Sequence, residues 1–173
     1  MFYHFSHIYD CRCVKTIEFL YFIKRTFLSA FSDFHTIQRY HKTYNLNIRS
    51  TFYCTKIALP YLKRNDKASI INIGSMAACS GDLGSTAYAC AKAGVDMLTK
   101  YTALQYGKDG IRCNCVRPGL IITEENADKV PDMLKDIFLD NIEVTRYGSP
   151  DDIAAMCVYL ASDESEYLSL IHI

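Results

Sequence analysis

Two short apolar runs constrain this chain more than any other feature. KASIINIGS (67–75) sets Ile70, Ile71 and Ile73 in a run that ends at a glycine. GIRCNCVRPG (110–119) is a second run, ending in a Pro-Gly turn. Both read as short strands, the first of them buried. Between them, Thr86 to Gly107 reads as one long helix, with Gly107 or Gly110 placed to close it. After them, GSPDDIAAMCVYLAS (148–162) carries Ser149 as N-cap, Pro150 at the first helical position and acids at 151 and 152. Those are the start signals of a helix. Strand, helix, strand, helix at these lengths means parallel pairing and an α/β sheet.

The chain upstream falls into two unlike parts. IQRYHKTYNLNIRSTFYCTKIALPYLKRND reads as one long helix or two abutting ones, with Pro60 expected to kink or restart it. Residues 1–37 differ in kind. They are rich in Phe, Tyr, His and Cys, and contain no Gly and no Pro. Within them VKTIEFLYFIKRTFLSAF (14–31) is a candidate helix, but its aromatic residues run almost all round, so amphipathicity is weak. With 173 residues and half of them hydrophobic, one domain with a sizeable core is expected.

Composition excludes several classes. The formal net charge is zero, with no basic excess for nucleic acid. The eight cysteines form no C-x-x-C pair; Cys11/Cys13 and Cys113/Cys115 are C-x-C pairs, which lack the usual zinc spacing. No metal site is expected, and free thiols in a reducing cytoplasm are the simpler reading. No apolar run is long enough to span a membrane, and the nearest candidate, FLYFI (19–23), is fenced by Glu18, Lys24 and Arg25, so no membrane span or secretory signal is read there. INIGSMA lacks the second glycine of a serine-hydrolase elbow.

The chemistry-bearing residues gather on one edge of the expected sheet. In an open parallel sheet, ligands bind beyond the carboxyl ends of the strands. Ser75 closes the first strand, and Arg117-Pro118-Gly119 closes the second, with Thr123 soon after. On the helix between them, Tyr88 and Lys92 are one turn apart and share a face. The pair alone carries little, because 13 tyrosines make about one such spacing expected by chance. Its convergence with the strand ends carries more. Further on, Met133, Leu134, Ile137 and Phe138 form an apolar stripe that reads as packing before pocket lining.

At these residues the sequence resembles the short-chain dehydrogenase/reductase family; its 3-oxoacyl-carrier-protein reductase-like branch is the general label, with sugar or steroid alcohols open as substrates. The matching pieces are NLNIRSTF around Asn47, INIGSMAA around Ser75, YACAK at 88–92, IRCNCVRPG with LIIT to Thr123, and RYGSPDDIAAMCVYLASDES at 146–165. The order and spacing of Asn47, Ser75, Tyr88 and Lys92 match the family pattern, and the likeness covers roughly residues 38–167. The resemblance implies a Rossmann-like, doubly wound parallel sheet and hydride transfer between NAD or NADP and an alcohol or ketone. It implies Tyr88 as general acid/base, with the Lys92 ammonium lowering its pKa from about 10. Lys92 would also hold the nicotinamide ribose hydroxyls. Ser75 would bond the substrate oxygen, and Asn47 would hold a water that relays protons through Lys92. Pro118, Gly119, Ile121 and Thr123 would line the nicotinamide end of the cofactor.

One family element is missing. The phosphate-binding loop needs glycines that let backbone N–H groups approach the pyrophosphate. No glycine precedes residue 74. The core is therefore expected to be incomplete, keeping the family's fifth and sixth strands without the first four or the last. On this reading 1–37 is an atypical segment, 38–167 the catalytic portion and 168–173 a non-family tail. The alternative is a catalytically inactive fragment or an interaction module that pairs, with a full-length relative for example, through the helices at 38–64 and 86–107; a homo-oligomer is expected if the chain folds.

Overall fold

The computed structural model describes residues 36–80 and 85–170. The helix expected over 14–31, almost all of the 1–37 segment and the last three residues of the 168–173 tail lie outside them. The chain enters through α1 (Ile37–Tyr44), whose first turn is capped by Thr36 accepting from the Arg39 N–H. A π-helical segment, Asn45–Arg49, joins it without a break to α2 (Ser50–Leu62). The helix does not restart at Pro60; the irregularity between the two helices is the π-helical segment, more than two turns earlier. α2 runs through Pro60, which stands two residues from its end, where only one ladder bond is lost.

Strand β1 (Ala68–Ile73) pairs in parallel with β2 (Ile111–Val116), in register from Ala68 opposite Ile111 to Ile73 opposite Val116. Helix α3 (Thr86–Tyr106) makes the crossover between them. It ends at Gly107 in a short 3-10 turn, and Gly110 then reverses the chain with φ of 76°. A side chain at 110 would also run into the Asp66 carbonyl. Helices α4 (Asp132–Asp140) and α5 (Pro150–Ala161) complete the fold. The start of α5 has the full capping box: Ser149 accepts from the Asp152 N–H, and Asp152 accepts from the Ser149 N–H.

The alternation of side chains decides what each sheet face meets. Ile70, Ile111 and Cys113 point to the α3 side and form a core with Ala103, with Leu59 and Leu62 of α2 against it. Ile111 is fully buried, worth about 1.5–3 kcal/mol. On the other face Ser69 Oγ donates to the Leu160 carbonyl at the end of α5. Arg112 donates to the carbonyls of Leu160, Ser162 and Leu168. Helices on both faces of a parallel pair make the doubly wound α/β arrangement, on a sheet of two strands among the described residues. Residues 168–170 lie along the far edge of β2, where Leu170 N–H donates to the Cys113 carbonyl and Asn114 Nδ2 to the Leu168 carbonyl.

The stripe on α4 packs only in part: Leu134 and Phe138 are half-buried. Met133 and Ile137 are exposed, and α4 buries no residue.

Two outcomes are expected. Ser149→Ala removes one arm of the capping box and should cost about 1 kcal/mol in urea denaturation. Among the described residues no strand lies along the second edge of β1. Such an edge invites pairing, so the isolated chain should self-associate in sedimentation velocity. A monodisperse monomer with a sharp cooperative melt is the result that counts against it.

Candidate active site

The parallel register brings both strand ends to one edge, and pairing continues past the strands. Gly74 N–H donates to the Val116 carbonyl at 2.7 Å, and Met76 N–H to the Pro118 carbonyl at 3.0 Å. Ser75 lies between these bonds, half-buried, and its Oγ accepts from the Ala77 N–H at 3.2 Å. It caps the 3-10 turn Met76–Ala78. An accepting hydroxyl keeps its O–H to donate.

Ser85 caps α3 by accepting from the Tyr88 N–H at 3.4 Å, which sets the phase of the helix. Tyr88 and Lys92 then share its face toward the strand ends. Lys92 Nζ donates to the Ile73 carbonyl at 2.7 Å and lies 5.6 Å from the centroid of the Tyr88 ring. Burial holds the Lys92 ammonium below the ordinary lysine range, while Cys115 and Asp96 push it back up.

Asn47 sits in the π-helical segment and is buried. Its Nδ2 donates to the Thr43 carbonyl at 2.8 Å, and its own carbonyl accepts from Ser50 Oγ and Thr51 Oγ1. The extra residue of a π-turn shifts side chains and carbonyls out of α-helical phase, a distortion frequent at functional sites. The neighbouring Ile48 packs on Gly94 of α3, which ties this segment to the helix of Tyr88 and Lys92.

After β2 the chain runs through Pro118 and the exposed Gly119 to a single parallel bridge between Ile121 and Gly148. Asn126 holds that loop from both sides. Its Oδ1 accepts from the Thr123 N–H at 2.7 Å, and its Nδ2 donates to the Ile121 carbonyl at 2.9 Å. The structure thus brings Tyr88 and Lys92 together, links the Ser75 turn to the Pro118 turn, and sets Asn47 in a segment packed on α3. Sequence reading misses Asp96, which is buried behind Lys92 and bonded to Arg117 and Cys115. Its signal was an acid one turn after Lys92 in GVDMLTK, easily read as a solvated charge.

The comparisons with known proteins agree with this architecture. A family model described as enoyl-(acyl carrier protein) reductase matches residues 22–171. The chain belongs to the short-chain dehydrogenase/reductase family. It is 35% identical over 130 residues to a 7alpha-hydroxysteroid dehydrogenase of Bacteroides fragilis, covering 75% of this chain and 50% of that protein. It is 36% identical over 125 residues to a 3-oxoacyl-(acyl-carrier-protein) reductase of Thermotoga maritima, covering 72% and 50%. A short-chain type dehydrogenase/reductase structure from Mycobacterium ulcerans superposes with a TM-score of 0.73 at 27% identity, covering 82% of this chain and 54% of that one. The chain spans about half the length of the curated relatives it matches. Among the described residues no helix is long and apolar enough to cross a membrane.

The thiols offer a direct check on the site. Burial first, and for Cys115 the bond to Asp96 next, push Cys113 and Cys115 from an ordinary 9.0 up to about 12. Cys79 and Cys90 are exposed. At pH 8 alkylation mapped by mass spectrometry should label Cys79 and Cys90 rapidly, and Cys113 and Cys115 only after unfolding. The folded state keeps these two protons while the unfolded chain releases them above pH 9.0, so stability should fall as pH rises from 9 toward 12.

Proposed function

We propose that this chain carries the catalytic face of an NAD(P)-dependent oxidoreductase that moves a hydride between a nicotinamide cofactor and an alcohol or carbonyl carbon. The observation that carries the reading is the Lys92 head group, held on the Ile73 carbonyl at the carboxyl edge of the sheet and 5.6 Å from the Tyr88 ring. A lysine used only as a solvated surface charge has no need of that half-buried place. The names of the relatives point the same way, one to a hydroxysteroid and one to a 3-oxoacyl group.

The fit to a nicotinamide cofactor differs at its two ends. At the nicotinamide end the donor set suits it. The Lys92 ammonium has donors beyond the one on Ile73 for ribose hydroxyls, and Pro118, Gly119, Ile121 and Thr123 follow the strand end beside it. At the pyrophosphate end, residues 1–73 hold no glycine, so a glycine-rich phosphate loop of the family kind is not among them. When bound, the nicotinamide ring supplies the hydride donor or acceptor.

This chain's own groups handle the proton and the charge. In the oxidising direction, the Tyr88 phenolate takes the proton of the substrate hydroxyl as the carbon gives up its hydride. Reduction runs the same path backward, with the Tyr88 O–H donating. Lys92, as an ammonium beside the ring, favours the phenolate. The Ser75 O–H donates to the substrate oxygen where charge develops. Asn47, as the family resemblance implies, would hold a water that relays the proton through Lys92.

A second reading has its own observation. Phe52, Tyr53, Ile57 and Tyr61 of α2, and Met97, Tyr101 and Leu104 of α3, are exposed. These two helices would then pair with a second copy of the chain, as an interaction module without turnover.

One experiment separates the readings: calorimetric titration of the purified chain with NADH and NADPH, with turnover of Tyr88→Phe measured beside the parent. The enzyme reading expects binding and a loss of about 100- to 10,000-fold in kcat for Tyr88→Phe. A folded, dimeric chain that binds neither cofactor establishes the interaction module instead.

A further inference from the structure

Asp96 lies on α3 one turn beyond Lys92 and is only 8% exposed. A buried carboxylate persists only where partners replace its water. Both oxygens have one. Oδ2 accepts from Arg117 Nε at 2.9 Å, and Oδ1 accepts from Cys115 Sγ at 3.1 Å. The third wall is Gly74. A Cβ there would stand 3.0 Å from Asp96 Oδ1 and 2.7 Å from Cys115 Sγ, so the carboxylate and thiol occupy the room any side chain would need.

Three segments therefore meet at one carboxylate. They are the end of β1 just before Ser75, the helix of Tyr88 and Lys92, and the end of β2 just before Pro118. The head group of Lys92 is docked on Ile73 and that of Asp96 against Gly74, consecutive residues of one strand end.

We propose that Asp96 is a positioning residue: its carboxylate clamps α3 to Arg117 and Cys115, and so fixes Lys92 on the Ile73 carbonyl beside Tyr88. For its consequence the clamp rests on the functional reading of Tyr88 and Lys92; for its geometry it does not.

The clamp also sets charge. Cys115 of β2, pushed up to about 12, is a neutral thiol below that pH. Asp96, like Cys115, raises the Lys92 pKa against a burial cost that disfavours the ammonium. Arg117, on the turn after β2, draws on the same carboxylate, and its own pKa is raised by that bond. Cys79, at the end of the 3-10 turn, acts on Arg117, and Tyr88 faces Lys92 from its own helix.

The test is the titration of Lys92 in the folded chain without cofactor, followed by NMR of chain labelled with carbon-13 at lysine Cε and assigned with Lys92→Arg. Asp96→Asn should lower the Lys92 midpoint by about one pH unit, and Arg117→Gln, which frees the carboxylate, should raise it. Shifts of opposite sign are a signature that loss of packing alone does not produce. An unmoved midpoint in both folded variants overturns the clamp. Should Asp96→Asn fail to fold, Arg117→Gln decides alone, and a midpoint that stays or falls is the negative result. In turnover, Asp96→Asn should lower kcat about 10-fold or more with KM little changed, partly restored by Asp96→Glu. A parent chain without turnover refutes the functional reading, while the titration still decides the clamp.

Discussion

The parallel pairing of β1 with β2 is the interaction on which the rest of this structure depends. Parallel strands end on the same side, so Gly74-Ser75 and Arg117-Pro118-Gly119 become neighbours although about forty residues separate them in the chain. The two backbone bonds beyond the strands, Gly74 to Val116 and Met76 to Pro118, carry that proximity into the irregular segments. The candidate residues Ser75 and Lys92 meet at this edge, Lys92 through the Ile73 carbonyl. The core of Ile70, Ala103, Ile111 and Cys113 then seals α3 on the sheet in one position. A slip of α3 by one turn, about 5.4 Å, would take Lys92 off the Ile73 carbonyl.

Polar contacts on buried surfaces add uniqueness to that packing. Asn72 Nδ2 donates to Thr99 Oγ1 at 2.8 Å, and Thr99 Oγ1 donates to the Val95 carbonyl. This pair sits between the apolar core and the Asp96 cluster, and it ties β1 to the middle of α3. Buried polar groups are costly when mispaired, so they select one register among those the apolar residues alone would tolerate. The π-helical turn at Asn45–Arg49 plays a matching part on the second helix, since Ile48 reaches Gly94 only in that phase.

Much of the fold was legible because its signals are local. Ser149, Pro150 and Asp152 mark the start of α5 by hydrogen bonds made within four residues. The runs ASIINI and IRCNCV are strands within a residue or two of the bounds expected from their apolar content. Gly107 and Gly110 close α3 between them, the second by a backbone conformation that few other residues adopt. Reading failed where distant partners decide. The π-turn at Asn47 leaves no mark in the local pattern, and no restart occurs at Pro60. The apolar stripe on α4 predicted burial, but only Leu134 and Phe138 are half-buried, while Met133 and Ile137 are exposed. Among the candidate site residues, Tyr88 and Lys92 were legible from helical spacing. Asp96 was not, because its partners Arg117 and Cys115 arrive from another strand.

By itself, the sequence determined the α/β class, the order of strands and helices and the shared face of Tyr88 and Lys92. Each follows from periodicity or from bonds between near neighbours. It also carried the family pattern of Asn47, Ser75, Tyr88 and Lys92. Only the tertiary structure decided that Lys92 rests on the Ile73 carbonyl, that Gly74 faces Asp96 and Cys115, and that the tail at 168–170 lies along β2. Those contacts join residues far apart in the chain. Their free energy exists only once the sheet has paired and the helix has packed, so no local pattern can encode them.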